Sequence, residues 1–333
     1  MGNNDVAALG RMSGLVTPMA LRAAVTLGLP DRLRGDGATT DRLAADLGVS
    51  PVALDILLGH LTTLGVVERT AAGHRTTDLG THLCTDADNL LPTILNMNTA
   101  AGRADLAFVE IIHSITTGQA AYPVRYGTDF WADLAEHPHL RASFDRQMTM
   151  RFRADLPKVV AGVDWSRFAT VVDVGGGHGT LLAAILVANP GLHGHLVDLD
   201  PTATEARNTF HAQNLDDRTD VTAGSFFDSL PAGADAYVLV DIIHNWDDEN
   251  ARRILARCVE AAHPGSRVLV IEAVGGRQAS TEMDLSMLVH FGGRERGLDD
   301  LRALGTAASL TLDTVTTVTD QRCLLEFSVA SER

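Results

Sequence analysis

The 333-residue sequence predicts an α/β protein: a doubly wound, mainly parallel sheet over residues 161–333, preceded by a smaller helical domain with the order of a winged helix. Three observations carry that prediction. From about residue 168 onward strand, glycine turn and helix alternate; the strands there are near-continuous apolar runs; and residues 5–157 read as helical almost throughout, punctuated by Gly and Pro. Strands covered by crossover helices on both faces lose the alternation of half-buried strands, so this texture belongs to a parallel sheet.

The N-terminal helices break at Gly28-Leu29-Pro30 and Gly35-Asp36-Gly37. Thr39-Thr40-Asp41 then caps a helix with Leu43, Ala44 and Leu47 on one face, and Gly48 ends it. A second helix starts at Ser50-Pro51, carries Leu54, Leu57, Leu58, Leu61 and Leu64 at helical spacing, and stops at Gly65. Short strands at 66–69 and 74–76 complete the winged-helix order, and residues 1–100 are read as this domain. Residues 101–160 continue as amphipathic helices, read as a linker contributing to a substrate pocket. In the last part, strands at 170–174, 195–199, 221, 236–240 and 267–272 alternate with helices at 180–188 and 201–213, and 310–318 with 322–329 form an edge hairpin.

Forty-two acidic against 27 basic residues give a formal charge of −15, which repels polyanions. Residues 51–64 would be the recognition helix of a DNA-binding winged helix, and they hold no Arg or Lys. Without cations there are no donors for the phosphate contacts that dominate DNA affinity, so packing or dimerisation is the expected role and a ligand-sensing regulator is disfavoured. The longest apolar run, 181–188, is eight residues against the roughly 20 of a membrane span. Residues 1–6 show neither signal-peptide regions nor a myristoylation pattern, so a cytoplasmic protein with no membrane partner is expected. Cys84, Cys258 and Cys323 lack CxxC spacing and read as core thiols.

The most informative stretch is Val172-Asp173-Val174-Gly175-Gly176-Gly177-His178-Gly179, between a strand and a helix. Glycines there let the backbone turn tightly and approach a ligand. The spacing departs from the dinucleotide fingerprint, whose third glycine would fall at residue 180, a threonine, so a nicotinamide-dependent oxidoreductase is disfavoured. Asp173 before the loop suits an ammonium or sulfonium better than a phosphate, and Asp198 ends the next strand where a carboxylate accepts from ribose hydroxyls. A nucleoside with a cationic amino-acid end meets all of these requirements: S-adenosylmethionine.

The ordered set of winged helix, DVGGGHG, AGSFFD, IIHNWDDE and FGGRER resembles the small-molecule O-methyltransferases of the caffeic-acid and acetylserotonin type, in their bacterial natural-product branch. The resemblance covers roughly residues 10–330. It implies a Rossmann-like S-adenosylmethionine-binding domain and an N-terminal domain that pairs two subunits as a homodimer around a small-molecule substrate. Residue by residue, it implies that Gly175, Gly177 and Gly179 hold the methionine end, Asp198 the ribose, and Ser225 with Phe226 the adenine. Ser225 departs from the usual Asp. Val240 stands where many relatives have Lys, and Asp241 beside it is a candidate replacement in the cofactor site.

His244 follows the fourth strand of the sheet, at its carboxyl end, and is the proposed general base, since an imidazole of pKa about 6.5 suits proton removal from a phenol or enol. The resemblance implies flanking carboxylates at Glu272 and Glu295; the plainer readings are a solvated strand end and a salt bridge to Arg294 or Arg296. Asn245, where relatives carry Asp, removes one negative charge and is expected to lower the histidine's proton affinity. Arg125, Phe130, Trp131, Met148 and His290 are the candidate substrate residues, the alternatives being surface for Arg125 and core for the aromatics. His290 opens a second reading, in which His244, Glu272 and His290 bind Zn or Fe and methyl goes to the carbon of an α-keto acid.

Overall fold

The computed structural model describes residues 2–329. The chain forms two compact units, 1–106 with 134–147 and 107–133 with 148–333, so the helical stretch 101–160 is divided between them.

In the first unit, Thr39 Oγ1 accepts from Arg42 N at 3.3 Å and Ser50 Oγ from Ala53 N at 3.4 Å, capping helices Thr40–Leu47 and Pro51–Thr63. Satisfying an otherwise orphaned donor at each start is what fixes these boundaries. Leu43, Leu54, Leu58 and Leu61 pack with Leu29 and Leu33 in the core. Strands β1 (Val67–Thr70) and β2 (Gly73–Thr76) pair antiparallel as the wing.

The second unit is built on seven strands: β3 (Thr170–Val174), β4 (His193–Asp198), β5 (Thr219–Ala223), β6 (Ala236–Val240), β7 (Arg267–Glu272), β8 (Leu310–Thr317) and β9 (Cys323–Val329). Their spatial order is β5-β4-β3-β6-β7-β9-β8. The first five run parallel, and the β8–β9 hairpin adds antiparallel to β7. Val171, Leu196, Val238 and Leu269 face helices Thr180–Ala188 and Thr202–Ala212 on one side of the sheet. Val172, Leu239 and Val270 face Asp248–Ala261 and Leu298–Ala307 on the other. The chain goes from β3 to β4 on one side and returns to β6 on the other, which opens a crevice at the carboxyl ends of β3 and β6. All three cysteines are buried and unpaired. Among the described residues no single helix is long and apolar enough to cross a membrane.

Candidate active site

The glycine loop occupies that crevice. Gly175, Gly177 and Gly179 have φ of 74°, 59° and 73°, the left-handed region that a Cβ disfavours. Space is also short: a Cβ on Gly179 would stand 2.7 Å from Phe210 Cζ, and one on Gly175 2.6 Å from Ile242 Cδ1. Gly177 N donates to Asp198 Oδ2 at 2.8 Å and Leu199 N to Asp198 Oδ1 at 2.7 Å, so the carboxylate ending β4 is oriented against the loop. Gly224 N donates to Asp198 O at 2.9 Å, which brings the Ser225-Phe226 segment alongside, with Phe226 Cε1 3.4 Å from where a Gly175 Cβ would be. Ser225 Oγ accepts from Phe227 N at 3.2 Å.

Asp173 is buried close to the loop backbone, its Oδ2 2.5 Å from the position of a Gly176 Cβ and without a hydrogen-bond partner among the described residues. Burial, and then the charge of Asp198, pushes its carboxyl up to about 7. A loop with three positive-φ glycines, an oriented carboxylate at the neighbouring strand end and a buried acid oxygen without a hydrogen-bond partner among the described residues fit a ligand that combines ribose with positive charge. The chemistry of these residues therefore suits S-adenosylmethionine.

His244 lies in the short turn Ile243–Asn245 after β6 and is buried. Its Nδ1 is 2.9 Å from Glu295 Oε1. Glu295 N donates to Asp284 Oδ1 at 2.9 Å, which seats the glutamate on helix Thr281–Phe291. Glu272 ends β7, fully buried, with neither oxygen hydrogen-bonded to a described residue; burial pushes its carboxyl up to about 7, although the positive charge of His244 pulls the other way. For His244 burial lowers the proton affinity, but the Glu295 hydrogen bond and the charges of Glu295, Asp241 and Glu272 outweigh it and the pKa is raised. The charge missing at Asn245 does not decide the direction.

Several residues that build this site escaped the sequence reading. Arg296, fully buried, donates to Ile243 O at 3.0 Å, Trp246 O at 2.7 Å and Asp248 Oδ1 at 2.9 Å, clamping the backbone on both sides of His244. Gly293 is packed against His244 O so closely that no side chain fits, and Arg294 N donates to the same oxygen at 3.0 Å. The signal was the charged pair in FGGRER, where position alone does not separate a buried arginine from a surface one.

The Asp241 carboxylate accepts from Arg322, whose charge keeps it well below the usual carboxylate range against the opposing effect of burial. His244, Glu272 and His290 do not form a ligand set, because among the described residues no three His, Cys, Asp or Glu side chains gather as metal ligands would. Glu295 takes Nδ1 of His244, and the His290 ring stands edge-on to Phe108 and Phe291, with centroids 5.5 and 5.6 Å away. Phe130 is buried among Tyr122, Trp131 and Phe291. Trp131 stacks on Trp246 at 5.7 Å and on Phe291 at 5.3 Å, which joins this aromatic cluster to the His244 turn. Met148 is half-buried on helix Pro138–Phe152, and Arg125 is exposed, 5.5 Å over the ring of Tyr126.

Comparison with known proteins adds an independent line. The O-methyltransferase domain model matches residues 108–310, and the O-methyltransferase dimerisation domain model matches 9–86. The 2,7-dihydroxy-5-methyl-1-naphthoate 7-O-methyltransferase of Streptomyces carzinostaticus is 46% identical over 91% of this chain and 92% of its own. An aclacinomycin 10-hydroxylase of Streptomyces purpurascens is 39% identical over 97% of this chain and 90% of its own. The crystal structure of an O-methyltransferase from neocarzinostatin biosynthesis, in complex with S-adenosyl-L-homocysteine and 1,4-dihydroxy-2-naphthoic acid, superposes with a TM-score of 0.91 at 44% identity, covering 96% of this chain and 98% of that one. Both domain models, these identities over nearly full length, and a loop, strand-end carboxylate and imidazole meeting at one crevice lead to a single conclusion: the chain belongs to the O-methyltransferase family, with that family's dimerisation domain at its N-terminus.

Proposed function

We propose that the protein transfers a methyl group from S-adenosylmethionine to a phenolic hydroxyl of an aromatic small molecule, with His244 as general base, acting as a homodimer in the cytoplasm. The observation that carries this reading is the buried His244–Glu295 pair, 2.9 Å apart, at the carboxyl end of the sheet. A carboxylate only accepts, so Nδ1–H donates to Glu295 and the lone pair is left on Nε2, the atom that takes the acceptor's proton. Glu295 fixes the tautomer and ring orientation, and Glu272 presents a second buried carboxyl at the same strand ends. The glycine loop with Asp198 holds the donor, and Phe226 with Ser225 borders its adenine. When bound, the donor supplies a methyl carbon made electrophilic by the sulfonium. Trp131 and its stacked neighbours support an aromatic acceptor, as do relatives named for naphthoates.

His244→Ala is expected to lose about 10²–10⁴ in turnover while S-adenosylhomocysteine affinity by calorimetry stays at the wild-type value. Turnover that survives the substitution removes the histidine from the reaction. Because one relative is named a hydroxylase, the readout is label transferred from the methyl donor, not acceptor consumed.

A further inference from the structure

Asp241 sits where the end of the sheet becomes the His244 turn. It follows β6 directly, with φ of 52°, a left-handed conformation that an L side chain rarely adopts. Its N–H donates to Ile271 O at 3.0 Å, joining the ends of β6 and β7, and its carbonyl accepts from Asn245 Nδ2 at 2.9 Å, closing the turn around the histidine. Its carboxylate accepts from Arg322 Nε, 3.1 Å from each oxygen, and from Nη2. Arg322 is buried in the turn between β8 and β9 and also donates through Nη1 to Asp155, whose carboxylate accepts from Thr319 Oγ1 at 3.2 Å. The Phe152 ring lies 5.1 Å from the guanidinium carbon. One buried cation thus joins the hairpin, the helix start at Asp155 and the turn that carries His244.

We propose that Arg322 is a positioning residue for methyl transfer: its guanidinium locks the Asp241 turn, and through it the His244 imidazole, in the reactive arrangement. This rests on reading His244 as the base. A forked guanidinium on a planar carboxylate fixes orientation in a way that a lysine ammonium cannot. The same contact has an electrostatic consequence. The groups acting on the imidazole are Glu295 in direct contact, Asp241 from its own turn and Glu272 from β7, while Asp241 itself feels Arg322, Arg151 and His244, and Arg296 acts on Glu272. Removing the aspartate charge leaves a cation near the ring and makes it release its proton more readily; removing Arg322 leaves an unscreened anion and does the reverse.

The test is the titration midpoint of the His244 ring, followed by NMR in the S-adenosylhomocysteine complex of wild type, Asp241→Asn, Arg322→Met and Arg322→Lys. Asparagine tolerates the left-handed backbone, so Asp241→Asn carries the test even if Arg322→Met folds poorly. Asp241→Asn should lower the midpoint by about 0.5–1 pH unit and Arg322→Met should raise it by a similar amount. The acid limb of kcat against pH should follow in each case. Arg322→Met should cost about 10–100-fold in kcat with acceptor KM within about threefold of wild type, and Arg322→Lys should restore the midpoint but not kcat. A midpoint that does not move in Asp241→Asn overturns the proposal, as does a folded Arg322→Met that keeps wild-type kcat. So does Asp241→Asn that weakens S-adenosylhomocysteine binding by more than about tenfold, since Asp241 would then be a cofactor ligand. Midpoints that move while the acid limb stays fixed would remove His244 as the base and leave its coupling to Arg322 standing.

Discussion

Asp173 shows how a single residue can set a pH dependence of folding. Its carboxyl is buried and pushed up to about 7, well above the value of an unfolded aspartate near 3.9. Between about pH 4 and about pH 7 the folded chain keeps a proton that the unfolded chain has released. The stabilisation from this group is therefore complete below about pH 4 and is lost as pH rises through about 7, an effect of about 4 kcal/mol across the window. Asp173→Asn removes the titration. In the ligand-free protein, the Tm of this variant should change less between about pH 5 and about pH 8 than that of wild type, with the difference between the two curves growing toward high pH. Parallel melting curves for the two proteins would show that the carboxyl ionises freely in the folded state. The identity of the residue was legible in the sequence, from its place before the glycines; its burial was not, because position before a loop does not tell whether a carboxyl faces solvent or sheet.

At the scale of elements, strand bounds were the most readable feature. The segments expected at 170–174, 236–240 and 267–272 coincide with β3, β6 and β7, since a fully buried parallel strand is a short apolar run with abrupt ends. The second strand of the sheet begins earlier than expected, at His193 and not at His195, because His193 and Gly194 at its start do not register as part of an apolar run. Contacts made across long sequence separations were the least readable. The clamp from Arg296 to Ile243 and the lock from Arg322 to Asp241 each join elements more than 50 residues apart, and neither end carries a local signal. The loop itself makes the element-scale prediction. Gly179 combines φ of 73° with a Cβ position 2.7 Å from Phe210 Cζ, so Gly179→Ala must strain the backbone and displace a core ring at once. It should weaken S-adenosylhomocysteine binding by about tenfold or more and lower Tm, the strain alone costing about 1–2 kcal/mol. Wild-type affinity in this variant would mean that the loop's left-handed geometry is not needed to hold the ligand.

At the scale of the whole molecule, charge and apolar surface pull in opposite directions. The chain carries −15 formally, yet Met12, Leu15 and Val16 are 82%, 70% and 74% exposed near the junction of helices Gly2–Ser13 and Val16–Thr26. Adjacent exposed apolar residues on a highly charged chain mark a surface meant to be covered, and these lie within the stretch matched by the dimerisation domain model. Burying them between two copies brings two like net charges together, so association should be opposed at long range and favoured at contact. Sedimentation should therefore show a dimer that tightens as salt rises from about 10 mM to about 150 mM, because screening shortens the repulsion from about 30 Å to about 8 Å while leaving apolar contact intact. Met12→Asp with Val16→Asp should shift the population to monomer at micromolar concentration. S-adenosylhomocysteine affinity should stay within about threefold, since the glycine loop, Asp198 and Phe226 all belong to the other compact unit. A dimer that persists in the double variant would place the subunit contact elsewhere on the chain, and one that loosens with added salt would show that ion pairs, not apolar area, hold the two copies together.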